Sequence, residues 1–401
     1  MKVLVFNCGS SSLKFELLEL GDSGELLNRL ARGIYEEIGP HAHAEMSDAD
    51  GRKAAAAAAV ANHAQAALHA IDWLRAGTGQ LQLDAIAHRI VHGGDRVSAP
   101  ARADDGVLDA LAEASRFAPL HNPPAIATLR AVREKFRATP SIVVTDTAFH
   151  RTLTAAARTY AIPRELAARH GIHRFGFHGI GHSWMLDRYA EICGRPAAAL
   201  NLITLQLGAG CSADAICEGR SVDTSMGLTP LEGLMMATRC GDLDPAICEY
   251  LATSDRLSPA EVGRILNHDA GLLGVSGLSG DMRELEAAAP GNADAALAIE
   301  VFCYRVRKYI GAYMAVLGRV DAIIFGGGIG EHSVNARARV CSGLEPFGII
   351  FDKVRNETAN GREACISADG SRTGLWVVPL DEELQIARAA VRVLSAGAAS
   401  E

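Results

Sequence analysis

The sequence predicts an α/β protein made of two copies of one unit, each opening on a strand that enters a glycine turn and returns extended. Three observations carry this. Val3–Phe6 is a β-branched and aromatic run entering Cys8-Gly9-Ser10-Ser11-Ser12, after which Leu13–Leu18 reads as extended again; Leu202–Leu207 likewise enters Gly208-Ala209-Gly210 before the largely alternating Ser212–Glu218. Asp84–Val91 closes on Gly93-Gly94, as Asp321–Phe325 closes on Gly326-Gly327-Gly328. Ser141–Thr145 ends at Asp146, and Leu375–Val378 runs into Asp381-Glu382. A duplicated unit of this kind places two glycine-turn hairpins face to face across a central cleft.

Composition narrows the function classes. The 401 residues carry 39 Lys+Arg against 47 Asp+Glu, a net charge of −8, with 49% apolar and 21% charged residues. That balance is globular and excludes collagenous, disordered and disulfide-scaffold classes. A mildly acidic chain without a basic block is unsuited to nucleic acid or a membrane surface, so any anionic ligand needs locally placed cations. Nine scattered cysteines without a CxxC pair read as reduced thiols. The longest apolar run, Ala54–Ala61, is too short to span a bilayer, and the N-terminus turns polar at Asn7 too soon for a signal peptide. The expected compartment is the cytoplasm.

Between the paired landmarks, Lys53–Leu74 is Ala-rich with spaced Leu and Ile and predicts a helix. Val107–Phe117 predicts another, and Pro119–Pro124 a rigid loop. Apolar residues at helical spacing mark His182–Cys193, Asn292–Leu317 and Glu382–Leu394. The last would carry the chain end back to the first unit. The expected domains are 1–148 plus 383–401, and 149–382.

Asn7 to Lys14 offers backbone N–H groups, hydroxyls including Ser10 and Ser12, and one ammonium on a tight turn, a cradle that suits phosphate oxygens. It is not a Walker loop, and a plain Ser-rich hairpin is the better reading of this segment taken alone. Gly208-Ala-Gly-Cys-Ser-Ala213 has dinucleotide spacing, but a dinucleotide site needs a helix opening at the glycines, and extended sequence follows. A second phosphate hairpin fits better. Gly326–Gly330 permits close backbone approach to a flat ligand, or simply a tight strand-to-helix turn.

The charged residues say more. Arg89 ends an apolar strand, where an unpaired cation is costly, and Arg239 stands among small residues after Met235-Met236. His178 and His182 share a glycine-rich loop, His121 lies between Leu120 and Asn122-Pro123, and Asp146 and Glu382 hold corresponding places in the two halves. Singly, each suits a structural role: an Arg on a core carboxylate, a His on a carbonyl, an Asp as helix cap. As a group between phosphate hairpins they form a site for an anion and a metal.

These segments resemble acetate kinases: Phe6–Lys14, His88–Gly94, Pro119–Pro124, Asp146–His150, Phe175–Gly179, Asp223–Met236, Thr238–Pro245, Gly328–Glu331 and Asp381–Leu384, in order from residue 3 to about residue 390. The resemblance implies duplicated ribonuclease-H-like (actin-like ATPase) α/β domains with a central cleft and hinge, as in the sugar kinase, Hsp70 and actin superfamily. It implies reversible phosphorylation of acetate to acetyl phosphate by in-line transfer from ATP, with Mg²⁺ (Mn²⁺ as alternative), and a homodimer. By the same resemblance, Asn7 and Glu382 bind the metal, Arg89 holds the substrate carboxylate, and His178 and Arg239 stabilise the transferring phosphoryl group. Asp146 is the catalytic carboxylate and His121 a supporting donor. Val91, Leu120, Phe177 and Pro230 form the acyl pocket. Lys14, with Ser10 and Ser12, meets ATP phosphates. Gln206, Leu207, Gly208, Ala209 and Gly210, Asp281, Met282 and Arg283, and Gly328, Ile329, Gly330, Glu331 and His332 match the nucleotide segments.

The chain departs from the family pattern on the donor side. Gln206 and Ala209 replace a His and an Asn, and Gly181 and Gly280 stand where Ser is usual. Donor affinity or identity is therefore open, including a donor other than ATP. Since a carboxylate acceptor is already ionised at neutral pH, it needs no general base, and Asp146 is expected to order the metal or its water. A propionate or other short-chain carboxylate kinase is the near alternative. A nucleotide-driven interaction module is the distant one, opposed by the paired Arg and His residues.

Overall fold

The computed structural model describes residues 1–57, 60–78 and 81–398. The chain divides into two compact units, Met1–Phe149 with Asp381–Glu401, and His150–Leu380.

The first unit is built on strands β1 (Lys2–Cys8), β2 (Leu13–Leu20), β3 (Leu26–Glu36), β4 (His43–Asp48), β5 (Lys53–Ala57), β6 (Ala85–Ile90), β7 (Ala101–Arg102) and β8 (Ser141–Thr145), in the sheet order β5-β4-β3-β2-β1-β6-β8-β7. β1 and β2 form the expected antiparallel hairpin, and β1, β6 and β8 run parallel. β1 reads as a continuous apolar run because helices cover it on both faces. Leu4 and Phe6 join Ile71 and Leu129, from helices His63–Thr78 and Asn122–Lys135, in one buried cluster. The helix Glu382–Ala398 packs against β1, β2, β6 and β8, burying Leu384, Ile386, Ala387 and Val391. Each fully buried Leu, Ile or Phe contributes about 1.5–3 kcal/mol of transfer free energy.

The second unit repeats the plan with β9 (Leu202–Leu207), β10 (Cys211–Cys217), β11 (Arg220–Thr224), β12 (Ala322–Gly326), β13 (Ala364–Cys365) and β14 (Gly374–Val377), ordered β11-β10-β9-β12-β14-β13. The run β3-β2-β1-β6-β8 and the run β11-β10-β9-β12-β14 have the same order and the same parallel centre. That shared order is the duplication in structural form. Helix Ala293–Leu317 is capped by Asn292, whose Oδ1 accepts from the N–H groups of Asp294 and Ala295, and it buries Phe302, Val306, Ile310 and Tyr313 at helical spacing.

Two expectations fail locally. Lys53–Ala57 is a strand, not helix: it pairs antiparallel with β4, and edge pairing overrides the helical preference of Ala, the highest of any residue but small in energy per position. Ala58 and Ala59, inside the same expected helix, lie outside the described residues. The helix itself starts after Asn62, whose side chain accepts from the Gln65 N–H at 3.0 Å. Asn122–Pro124 is the first turn of a helix rather than loop, since a proline there sacrifices no hydrogen bond.

His88 on β6 is 1% exposed, stacks on Phe6, and neither ring nitrogen finds a partner among the described residues. Burial pushes its pKa down to about 3 from an ordinary 6.5. The unfolded chain therefore binds this proton and the folded chain does not, so stability falls as pH drops from 6.5 towards 3. His88→Phe should lose less unfolding free energy across that window than the parent, by up to ~1.4 kcal/mol per pH unit. Denaturant titrations at pH 7, 5.5 and 4 read the difference; parallel curves would mean that His88 is not buried neutral.

Candidate active site

In the first unit the parallel strands aim their C-terminal ends at one point. Asn7 on β1 lies in register with Arg89 on β6, and Asp146 directly follows β8. Arg89 donates to both Asp146 oxygens, Nε to Oδ1 at 2.9 Å and Nη2 to Oδ2 at 2.6 Å, and Nη1 donates to Asn7 Oδ1 at 2.9 Å. Asn7 Nδ2 in turn donates to Glu383 Oε1 at 2.9 Å and Glu382 Oε2 at 3.2 Å. Burial alone would pull the Arg89 pKa down, but Asp146 and Glu382 more than offset it and hold the guanidinium firmly charged. Burial, then the neighbouring Glu382, push Glu383 above the usual carboxylate range, with Lys14 and Asn7 opposing.

Two carboxylates converging on one amide supply the hard oxygens that a divalent cation prefers. Asn7, expected as a metal ligand, lies between Arg89 and the acidic pair. Its oxygen faces Arg89 and its nitrogen faces the carboxylates, so the amide bridges the cation and the acidic pair. Glu383 was not singled out by sequence reasoning, although the run Asp381-Glu382-Glu383 at a helix start was the available signal. Asn122 was also missed. It exchanges hydrogen bonds with the backbone of His92, at 3.0 and 2.8 Å, and so anchors the chain beyond Arg89 and Val91. Val91 is buried, His121 half-buried, and Leu120 is 61% exposed. Ser10 and Lys14 are exposed and Ser12 half-buried on the first hairpin.

In the second unit His178 and Arg239 meet over the second hairpin. A Cβ at Gly210 would lie 3.3 Å from His178 Nε2 and 3.7 Å from Arg239 Nη1, so a bare glycine lets both side chains approach the turn. Arg239 Nη1 donates to the Pro230 carbonyl at 3.0 Å, and among the described residues Arg239 pairs with no carboxylate. Burial holds its pKa below the ordinary value, with Cys211 opposing weakly. A desolvated guanidinium without a carboxylate is an anion site. The loop carrying Pro230 is pinned by Arg174, unnoticed in the sequence, whose guanidinium donates to the carbonyls of Thr224, Ser225 and Met226 and pairs with Glu232 at 2.6 Å.

The nucleotide candidates divide. Gly208, Ala209, Asp281, Met282, Arg283, Gly328, Ile329 and His332 line one cavity of about 740 Å³, within the size range of small-molecule sites. Gly280, Glu286, Ser333 and Asn360 complete it and were not predicted as ligand contacts. Glu331 is differently employed: its Oε1 accepts from the N–H groups of Gly327 at 2.9 Å and Leu380 at 3.0 Å, closing the glycine turn. No helix opens at Gly208, because β10 returns antiparallel to β9, which removes the dinucleotide reading.

A model of the acetokinase family matches residues 2–388. The chain belongs to the acetokinase family. It is 43% identical over 401 residues to the acetate kinase of Nitratidesulfovibrio vulgaris (strain DP4), covering 98% of this chain and 100% of that one. Among solved structures, Porphyromonas gingivalis acetate kinase has a TM-score of 0.91 at 37% identity, covering 98% of this chain and 99% of that one. A propionate kinase from Francisella tularensis subsp. tularensis SCHU S4 has a TM-score of 0.89 at 36% identity, covering 97% and 98%. The fold is therefore the duplicated, actin-like ATPase fold.

Two of the departures from the family pattern touch each other. A Cβ at Gly181 would sit 2.0 Å from Gln206 Oε1, so the longer Gln occupies the space that a serine side chain would need. Gly181→Ala should push the Gln206 amide aside at a net cost of ~1 kcal/mol or less, because the displaced atom ends a flexible side chain and Ala favours the helix over Gly. Adding Gln206→Ala should recover most of it, and thermal unfolding of the four proteins in the cycle measures the coupling. Additive effects would show that the two positions are independent.

Proposed function

We propose that the protein transfers a phosphoryl group reversibly between ATP and acetate, giving ADP and acetyl phosphate by in-line displacement. The observation that carries this reading is Arg239, a guanidinium that shares the Gly210 hairpin with His178 and pairs with no carboxylate among the described residues. The chemistry needs such a group, because both reactants are anions and charge spreads over the phosphoryl oxygens in the transition state. The cavity lined by Asp281–Arg283 and Gly328–Ile329 supports a nucleoside donor, since an inorganic phosphate donor would leave a space of that size unused.

In this reading Arg89 takes the acetate carboxylate with the N–H groups that Asp146 and Asn7 leave over, and Asp146 fixes its orientation. His121 assists as donor, while Val91, Leu120, Phe177 and Pro230 surround the methyl group. Lys14, Ser10 and Ser12 attend the phosphates. Glu382 and Glu383 would hold a divalent ion, Mg²⁺ or Mn²⁺, which when bound supplies charge neutralisation. The two units, Met1–Phe149 with Asp381–Glu401 and His150–Leu380, act as the two domains of each protomer in a cytoplasmic homodimer. Among the described residues no helix is long and apolar enough to cross a membrane.

The test traps acyl phosphate as hydroxamate from acetate, propionate or butyrate, with MgATP or pyrophosphate as donor. Hydroxamate from acetate with ATP, and little with pyrophosphate, is expected; product from pyrophosphate alone would overturn the donor assignment. Arg239→Ala should lower kcat by ~10²–10³-fold with a modest change in KM. A rise confined to KM would make Arg239 a ground-state binding residue.

A further inference from the structure

His178 is held at two levels. Its backbone has φ 58° and ψ 20°, a left-handed conformation that costs a non-glycine residue on the order of 1–3 kcal/mol unless its surroundings impose it. The preceding carbonyl, of Phe177, accepts a hydrogen bond from His150 Nε2 at 2.9 Å. His150 is fully buried, with Nδ1 3.1 Å from Asp214 Oδ1 and 2.9 Å from Ser221 Oγ. That clamp fixes where the His178 ring begins.

A second chain fixes the ring itself. His178 Nδ1 lies 2.8 Å from Ser212 Oγ, Ser212 Oγ lies 2.8 Å from His182 Nε2, and His182 Nδ1 lies 2.7 Å from Thr204 Oγ1. Ser212, His182 and Thr204 are all 0% exposed. Burial, with the adjoining His150 and His178, pulls the His182 pKa well below its ordinary value, so its ring is neutral and carries one N–H. If Ser212 accepted from both rings, its own buried hydroxyl proton would be left without an acceptor, so the hydrogens run along the chain in one of two directions. If His178 Nδ1 donated to Ser212, the sense would continue to His182 and Thr204, and the Thr204 hydroxyl proton would be stranded without an acceptor among the described residues. A buried donor left unsatisfied costs ~1–3 kcal/mol. The opposite sense satisfies every group: Thr204 donates to His182 Nδ1, His182 Nε2–H to Ser212, and Ser212 O–H to His178 Nδ1. The His178 proton then sits on Nε2, the atom that lies over Gly210 beside Arg239.

We infer that Ser212, His182 and Thr204 are positioning residues that hold His178 in its Nε2–H tautomer, aimed to donate to an anion at the Gly210 hairpin. The inference rests on the proposed role of His178 in phosphoryl transfer, but the tautomer can be read without turnover. The partner of one imidazole nitrogen sets which nitrogen bears the proton, and loss of such outer partners at comparable sites costs roughly 10- to 100-fold.

The experiment records ¹⁵N shifts of histidine-labelled free protein at pH 8, with the His178 signals assigned by their loss in His178→Gln. The parent should show protonated Nε2 and bare Nδ1 at His178. Ser212→Ala should mix the tautomers and lower kcat ~10- to 100-fold with acetate KM nearly unchanged, while Ser212→Thr keeps the hydroxyl and restores both. Should Ser212→Ala fail to fold, the near-isosteric Thr204→Val replaces it: it removes the hydroxyl proton that sets the direction of the chain and should likewise mix the tautomers. A parent in the Nδ1–H form, or a His178 tautomer unmoved in Ser212→Ala, overturns the inference. Absence of acetate phosphorylation by the parent would instead overturn the proposed function and leave the tautomer result standing.

Discussion

Burying a guanidinium is costly unless its hydrogen bonds and charge are met, and in the first unit that requirement organises the end of the sheet. Arg89 is met by both Asp146 oxygens and by the Asn7 amide, and each partner comes from a different piece of chain. β1 supplies Asn7, β6 supplies Arg89, the residue after β8 supplies Asp146, and the start of the C-terminal helix supplies Glu382 and Glu383 on the far side of Asn7. The parallel register of β1, β6 and β8 is what allows these groups to meet, because parallel strands end on the same side. Removing one member of such a buried pair leaves an uncompensated charge, which typically costs about 3–5 kcal/mol.

The second unit uses the same strand order to opposite electrostatic effect. There His178, at the start of helix Gly179–Cys193, and Arg239, from the loop after β11, approach Gly210 of the hairpin, yet no carboxylate among the described residues neutralises Arg239. One unit holds a cation already balanced by acid, and the other a cation that needs an outside anion. A carboxylate substrate and a phosphoryl group make different demands of this kind. The acceptor needs orientation, whereas the transferring group needs charge that is set in place before the reaction and costs no reorganisation during it.

Much of this was legible before any coordinates. Both glycine hairpins, the central strands and the long helix Ala293–Leu317 follow from apolar periodicity and turn residues; Arg89 stood out by the cost of a charge at the end of a buried strand, Asp146 by its place after one, Arg239 by its small neighbours and His178 by its glycine-rich loop. What escaped was decided by tertiary contacts. Lys53–Ala57 is helical by composition and becomes a strand only because β4 offers an edge, although Asn62 and Gln65 together marked the true helix start. Glu331 lies in a nucleotide-like segment, but a spacing pattern cannot say that its carboxylate turns back to Gly327 and Leu380. Ser212 and Thr204 are ordinary residues in sequence, and their hydrogen-bonded order with His182 exists only because β9 and β10 pair and the helix Gly179–Cys193 packs across β9.

The central question is whether Asp146 acts by holding Arg89 or by moving a proton. The most direct measurement is the pH dependence of kcat/KM for acetate, from pH 6 to 9, in the parent and in Asp146→Asn. Because the acceptor is already ionised across that range, a fall of similar size at every pH is predicted, with the shape of the profile unchanged. Loss of an acid limb present in the parent would contradict this and assign proton transfer to Asp146.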